Sequence, residues 1–124
     1  MTRLTLAVLA LMLAGAACDR EPADRSMRQL TGGDSHRGRQ IVRAYGCTAC
    51  HLIPGVPGPD ARVGPPLAGI ASRAFIAGVL PNQPGNMIRW IRDPQGVGQR
   101  TAMPDMGVSE RDARDIAGYL YTLR

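Results

Sequence analysis

The 124-residue chain contains no lysine, so all fifteen of its basic residues are arginines. Ten acidic residues oppose them, which leaves a formal net charge of +5. Only 4% of the residues are aromatic, and the arginines are scattered along the chain. Because nucleic-acid-binding proteins combine clustered basic residues with aromatic side chains, this composition argues against a nucleic-acid partner. A mildly basic surface instead suits an acidic protein partner or an anionic membrane face.

Long hydrophobic runs are missing as well, and the most apolar stretch is Leu4–Leu13 near the N-terminus. Ten residues are too few to cross a bilayer, for which about 20 are needed. Because Arg3 precedes this stretch and small residues follow it, the segment is typical of a signal peptide. We therefore predict that residues 1–17 direct export to the periplasmic side of a bacterial cytoplasmic membrane. An uncleaved export segment is the alternative.

Cysteine is scarce too, and the three cysteines cannot all pair with one another in an exported protein. Cys18 directly follows the small residues 14–17, which favours a lipoprotein that is cleaved before Cys18 and acylated on its thiol. Gly15 departs from this pattern, because lipoprotein cleavage sites usually carry leucine there. Ordinary signal cleavage after Ala16 or Ala17 is the alternative. Residues 18–33 are polar and lack clear periodicity, so we predict a flexible tether.

The other two cysteines belong to the most informative motif of the chain, the C-x-x-C-H sequence that runs from Cys47 to His51. This pattern attaches c-type haem. Cys47 and Cys50 can each form a thioether to one porphyrin vinyl group, and the adjoining imidazole can reach the iron. No second C-x-x-C and no H-x-x-x-H is present to complete a zinc site. The motif predicts one covalently bound haem c, and a redox dithiol or a metal site is the alternative.

Residues 34–124 have the pattern of one small all-α domain with no strand signal. Asp34 or Ser35 can cap a first helix, and Ser109 can cap a last one. Gly38 inside the first helix costs about 1 kcal/mol relative to alanine, which favours a close crossing with the last helix at Gly118. Apolar residues recur at helical spacing in both segments, at positions 38, 41, 42 and 45 and at 113, 116, 117 and 120.

Between these helices the sequence predicts mostly loop. Residues 52–66 are rich in proline and glycine and form a stiff loop. Residues 67–72 suit a short helix, and residues 74–80 suit either helix or extended chain. Another helix begins at Pro84 and ends before Pro94, and the following loop, residues 95–108, carries two methionines.

These features together resemble class I cytochromes c, the small monohaem electron carriers, over residues 34–124. The shared motifs are the glycine and aromatic residue before C-x-x-C-H, the Gly64–Leu67 G-P-x-L segment, the helix end at Asp93–Pro94, the methionine loop and Tyr119–Leu120. The resemblance implies the cytochrome c fold, with three to five helices wrapped around one covalent haem.

The resemblance also implies roles for individual residues. Cys47 and Cys50 would be the thioether attachments and His51 the proximal iron ligand. The carbonyl of Pro65 would bond the other nitrogen of that imidazole and set its tautomer. The sixth ligand would be Met103, with Met106 as the alternative. Trp90 would lie near the methionine sulfur. Trp90 as a plain core residue and Pro65 as a plain turn residue are the competing interpretations.

The function implied by the resemblance is single-electron transfer between redox proteins by a monomer that is not itself an enzyme. A fixed haem subunit of an oxidase or dehydrogenase complex is one alternative. A haem peroxidase or gas sensor with a labile methionine ligand is another. The family's usual lysine ring around the haem edge is missing, which leaves the kind of partner open.

Overall fold

A computed structural model describes residues 20–98 and 100–124. The predicted signal peptide, residues 1–17, and Cys18 lie outside these residues. The helices are α1 (Arg20–Thr31), α2 (Ser35–Ala44), α3 (Pro84–Arg92), α4 (Pro94–Val97) and α5 (Glu110–Leu120), with 3₁₀ turns at Cys47–Ala49 and Ile70–Ser72. This mostly helical architecture confirms the predicted all-α class.

Side-chain caps start the two helices that the sequence predicted most clearly. The Asp34 carboxylate accepts a hydrogen bond from the Arg37 backbone N–H at 3.0 Å and begins α2. The Ser109 hydroxyl accepts one from the Asp112 backbone N–H at 3.1 Å and begins α5. Each cap satisfies a backbone donor that the first helical turn would otherwise leave unpaired. Both cap predictions are confirmed.

Helices α2 and α5 cross with their backbones in contact. A Cβ atom added to Gly38 would lie 1.9 Å from the carbonyl oxygen of Asp115, so no other residue fits at position 38 without moving a helix. The predicted close crossing is therefore confirmed, but its partner on α5 is Asp115. Gly118 instead packs against the end of α1, where an added Cβ would lie 3.1 Å from Thr31 Oγ1.

A flexible tether was predicted for residues 18–33, and helix α1 corrects this prediction for the described part, residues 20–33. Met27 and Thr31 are only 8% and 2% exposed, and Asp24 pairs with Arg28 at 3.0 Å along the same helix. Because Met27 and Thr31 are the only buried positions among residues 23–31, the apolar stripe is too narrow to appear as a helical period in the sequence. Tertiary contact with α5 compensates for this weak local signal.

A short hairpin replaces the ambiguous segment at residues 74–80. Strand β1 (Phe75–Ile76) pairs antiparallel with β2 (Leu80–Pro81), with Phe75 opposite Pro81. The side chain of Asn82 donates hydrogen bonds to the carbonyls of Ile70 and Arg73, both at 2.8 Å. The sequence predicted no strand, because two-residue strands are too short for a period-two pattern to show.

The core lies between the inner faces of α2, α3 and α5. Val42, Met87 and Ile116, one from each helix, are each at most 2% exposed. Across residues 20–98 and 100–124, none of the helices has the length and apolar composition that crossing a bilayer requires. The three buried faces do not close on one another completely, and the gap between them is the site described next.

Candidate functional site

A cavity of about 600 Å³ opens between the helices, and its walls are mainly apolar. Val42 of α2, Met87 of α3 and Ile116 of α5 line it from three directions. The C-x-x-C-H motif and the methionine loop complete the lining. A space of this size with a few polar groups suits a small-molecule ligand or cofactor.

The two cysteines of the motif reach this cavity because the chain turns sharply after α2. Gly46 has a φ of +74°, a conformation that suits glycine, and a 3₁₀ turn at Cys47–Ala49 follows. Cys47 and Cys50 are half-buried free thiols that both line the cavity. The backbone carbonyl of Cys47 accepts hydrogen bonds from the N–H groups of Cys50 and His51, at 3.3 and 3.0 Å, which brings the motif's side chains to one place.

The Cys47 thiol lacks the electrostatics of a reactive redox cysteine. Burial is the main cause that raises the pKa of Cys47. Redox-active C-x-x-C pairs need the opposite shift, because the thiolate is the nucleophile. This direction argues against the dithiol alternative and suits a cysteine held in an apolar wall.

The imidazole of His51 also lines the cavity, and the segment after the motif holds it in place. His51 Nδ1 lies 2.8 Å from the carbonyl oxygen of Pro65. Because a carbonyl can only accept, we assign a ring proton to Nδ1, and in the neutral imidazole Nε2 then carries the free lone pair. The backbone N–H of Gly64 donates to the Cys50 carbonyl at 2.8 Å, and this bond keeps the Gly64–Leu67 segment against the ring.

Gly64 leaves the space that this ring occupies. A Cβ atom at position 64 would lie 2.4 Å from His51 Cε1 and 2.6 Å from Nδ1. No side chain can stand there while the imidazole keeps its place. In the G-P-x-L segment, Gly64 therefore leaves room for the imidazole, and Pro65 accepts its hydrogen bond.

The methionine loop brings two thioethers to the cavity. Met103 is half-buried and packs against the core, whereas Met106 is 40% exposed. Both line the cavity, and the Met106 methyl lies 3.6 Å from where a Cβ on Gly46 would be. Burial favours Met103 as the inward-facing sulfur, and Met106 covers the turn that leads into the C-x-x-C-H motif.

Gln95, which the sequence analysis did not single out, holds the methionine loop. Its side-chain amide donates to the carbonyls of Met103 and Thr101, at 2.8 and 3.2 Å. The hydroxyl of Thr101 accepts from the Met103 backbone N–H at 3.1 Å. These bonds fix the backbone at Met103. No motif marks Gln95, since its partners are backbone atoms that the fold brings back to it.

Trp90 is both a core residue and a wall of the cavity. It is 8% exposed and lines the cavity from α3. A Cβ on Gly98 would lie 3.0 Å from its ring, so the indole packs against the start of the methionine loop. The two interpretations of Trp90 from the sequence are therefore compatible. Its role toward a ligand stays a prediction.

Arg73 is a second residue that the sequence analysis missed. It lines the cavity, and its guanidinium donates to the carbonyls of Pro66 and Ala68, at 2.5 and 3.1 Å. It therefore fastens the chain that follows the His51 contact. Nothing in the local sequence distinguishes it from the other arginines, because its partners depend on how the loop folds.

The geometry thus gathers most of the predicted site residues in one place. Two thiols, an imidazole with a free Nε2 lone pair and at least one thioether surround an apolar space. Soft sulfur donors and an imidazole can hold a transition metal or an iron cofactor, and the thiols can form covalent links. Cys18 lies outside the described residues, so its predicted acylation is untested.

Comparison with known proteins adds two findings. A family model described as cytochrome c matches residues 35–124. A protein of Alkalihalophilus pseudofirmus, described as cytochrome c oxidase subunit 2, is 35% identical to this chain over 91 residues. The match covers 73% of this chain but 26% of that relative, so the chain spans about a quarter of the relative's length.

Proposed function

The chain belongs to the cytochrome c family, whose members transfer electrons with covalently bound haem, and from this premise we propose that it carries single electrons on one haem c. The family and the fold predicted from the sequence are thereby confirmed. The proposal concerns what this chain does within that family. Its donor would be one redox protein and its acceptor another, in a bacterial respiratory or dehydrogenase chain.

The observation that carries the proposal is the shared cavity. Cys47, Cys50, His51 and Met103 all line one space of about 600 Å³ with apolar walls. A haem presents a large apolar surface, two vinyl groups to which thiol S–H groups can add, and an iron that an imidazole and a thioether can bind. The residues present therefore fit the group that the family binds.

Each residue has a separate proposed role. Cys47 and Cys50 would form the covalent links, and His51 Nε2 would bind the iron. The carbonyl of Pro65 accepts the Nδ1 hydrogen bond, which fixes the tautomer and the direction of the ring. Met103 would also bind the iron, from a loop that the side chain of Gln95 holds.

Haem iron supplies a one-electron ferric–ferrous couple, and a thioether ligand raises its potential relative to a second imidazole. The apolar walls, including Val42, Met87 and Ile116, exclude water and disfavour the more highly charged ferric form. Binding of the iron by both His51 and Met103 would leave no iron position for a substrate. We therefore propose an electron carrier rather than an enzyme.

The proposed location follows from the N-terminal sequence. Residues 1–17 would be removed as a signal peptide, and Cys18 would carry a lipid. The mature protein would be a monomer held on the periplasmic side of the cytoplasmic membrane. An acyl chain contributes about 0.8 kcal/mol per buried methylene, so a diacylglycerol would give stable attachment.

A second candidate function is a fixed haem subunit of an oxidase complex. It is favoured by the relative described as cytochrome c oxidase subunit 2, in which a segment similar to this chain is part of a longer protein. Extraction of native membranes in mild detergent separates the two candidates. A fixed subunit would co-purify with oxidase subunits at constant ratio, whereas a shuttle would be recovered alone.

The central test compares two methionine variants of the matured protein. We expect Met103→Ala to lose the long-wavelength methionine–iron absorption band of the oxidised protein, because its sulfur is the inward-facing one. Met106→Ala is the matched control on the same loop and should keep the band. Loss of the band in Met106→Ala alone would transfer the ligand role to Met106.

Two further measurements address the alternatives. An alkaline pyridine spectrum of the matured protein should show a haemochrome with two thioether links, and its absence would overturn the proposed function. Carbon monoxide should not bind the untreated reduced protein. Ready binding would favour the gas-sensor or peroxidase alternative with a labile Met103.

A further inference from the structure

Helix α1 lies outside the segment matched by the family model, yet its middle and its end are fastened to the domain. In its second turn, the Asp24 carboxylate accepts a hydrogen bond from the Ser35 hydroxyl at 2.8 Å. Near its end, the Arg114 guanidinium donates to the Thr31 carbonyl at 3.4 Å. Met27, between these two points, is buried in the core. The helix is therefore a part of the domain rather than a mobile leader.

The turn after α1 is equally constrained. A Cβ atom on Gly33 would lie 2.2 Å from the backbone of Arg114, so the chain passes directly against α5. The Gly33 backbone N–H donates to the Thr31 hydroxyl at 3.2 Å. The Asp34 backbone N–H donates to the buried Asp115 carboxylate at 2.7 Å. These contacts leave no hinge between α1 and α2.

Helix α1 packs on the side of α5 that faces away from the cavity. With 3.6 residues per turn, Ile116 and Leu120 point within about 40° of each other, and both line the cavity. Arg114 and Gly118, which contact the end of α1, point about 160–200° away from Ile116. Helix α5 therefore separates α1 from the cavity.

The sequence places the predicted lipid site very close to α1. Cys18 precedes Arg20, the first residue of α1, by two positions. Two residues span at most about 7 Å even when fully extended. A flexible 16-residue tether would instead have a root-mean-square reach of roughly 20–24 Å and would let the domain tumble.

We propose that α1 holds the domain in one orientation on the membrane surface, with α5 between the bilayer and the haem cavity. The partner of the α1 end is the lipid bilayer itself. This inference rests on the proposed acylation of Cys18 and the proposed haem. In this orientation, redox partners reach the cavity from the side away from the lipid. This suits a carrier that keeps one orientation on the membrane better than a carrier that tumbles on a flexible tether.

The test uses the lipidated holoprotein in shear-aligned phospholipid vesicles. We expect the main haem absorption band to show linear dichroism, because a fixed domain gives the haem plane a fixed angle to the membrane. A matched variant carries twelve glycine and serine residues inserted between Asp19 and Arg20, which adds roughly 17–21 Å of flexible reach and leaves the described domain unchanged. This variant should lose the dichroism. An isotropic spectrum from the native protein would overturn the proposal.

Mass spectrometry of the same preparation keeps the two proposals distinguishable. A mature chain with haem but no acyl group on Cys18 would overturn the orientation proposal and leave electron transfer standing. A chain without haem would overturn the proposed function instead.

Hydrogen exchange of the matured protein tests the attachment of α1 without any membrane. The α1 amides around Met27 should be protected to a similar degree as those of α2. Exchange of α1 at the rate of an unstructured peptide, with α2 still protected, would also overturn the orientation proposal.

Discussion

At the scale of single residues, two neighbours position the imidazole of His51. One accepts a hydrogen bond from the ring, and the other is a glycine that leaves space for it. Pro65 sets the direction of the ring through its carbonyl, and Gly64 provides the space beside it. Only the hydrogen bond was expected from the sequence. The requirement for glycine at position 64 depends on a contact with a residue thirteen positions earlier, which only the folded chain creates.

We expect Gly64→Ala to destabilise the matured protein by about 1–3 kcal/mol, because the new Cβ would overlap the His51 ring. The displaced ring should also weaken the proposed bond between His51 and the haem iron. Thermal unfolding measures the first effect, and the visible spectrum of the haem measures the second. Unchanged stability together with an unchanged spectrum would show that the Gly64 segment can move away from the ring at little cost.

The carboxylate of Asp112 is a second single residue with an important contact, because it links α5 to Tyr45 and Arg37. The Tyr45 hydroxyl donates to it at 2.6 Å, and the Arg37 guanidinium pairs with it at 2.6 Å. Both contacts favour the ionised form, and together they hold the pKa of Asp112 below its ordinary value of 3.8, with the Tyr45 bond as the largest cause.

This shift predicts an acid-labile link between α2 and α5. Because the folded pKa of Asp112 is lowered, its contribution is complete above about pH 4 and is lost as the pH falls through the folded value. Asp112→Asn should therefore be less stable than the native protein near pH 7, and the difference should shrink below pH 4. Urea unfolding at a series of pH values measures this. A difference that stays constant with pH would contradict the assigned ionic role.

At the scale of elements, the crossing of α2 and α5 is the closest helix contact described. Gly38 meets the carbonyl of Asp115, and the buried Asp115 carboxylate in turn accepts from the Asp34 backbone N–H. Asp115 thus fixes the start of α2 at the same place where the helices touch. The crossing positions the C-x-x-C-H motif, since the motif begins three residues after α2 ends.

We expect Gly38→Ala to cost about 2–3 kcal/mol, because its Cβ would lie 1.9 Å from backbone that cannot rotate away. Gly85→Ala in α3 is the matched control, since a Cβ there meets nothing within 4 Å. Alanine's better helix propensity should make that variant neutral or up to about 1 kcal/mol more stable. Thermal unfolding of both variants compares them, and equal stabilities would contradict the contact.

The elements also differ in how visible they are from sequence. Helices α2 and α5 have a side-chain cap and a regular apolar face, so local rules predict them. Helix α1 has only Met27 and Thr31 buried over residues 23–31, and the β1–β2 hairpin is too short to show a strand period. Their structure depends on contacts with α5 and with the Asn82 side chain, which no local pattern carries.

At the scale of the whole molecule, the cavity is the largest departure from a packed core. A space of about 600 Å³ leaves the apolar side chains that line it without packing partners. A small domain has a total stability of only about 5–15 kcal/mol, so this loss of packing is important to it. The domain therefore needs its cofactor as part of the core, in agreement with the few aromatic residues available to fill it.

We expect the chain with Cys47→Ala and Cys50→Ala, which cannot form the thioether links, to be far less stable than the matured protein. The unlinked chain should have a lower and broader thermal transition and a larger hydrodynamic radius, because its core lacks a permanent filling. Circular dichroism and gel filtration measure both properties. Addition of free haem is the control and should restore part of the lost stability. A compact, cooperative domain without haem would contradict the cavity argument.

The sequence by itself determined the family, the all-α class, the covalent attachment motif and the main helix starts. All of these depend on residues close together in the chain, where spacing and capping act locally. Only the tertiary structure decided that α1 is a packed helix, that Gly64 makes room for His51 and that Gln95 holds the Met103 loop. Those contacts join segments that are distant in the sequence or that show no clear sequence pattern. They stabilise the protein only once the helices have packed around a common core.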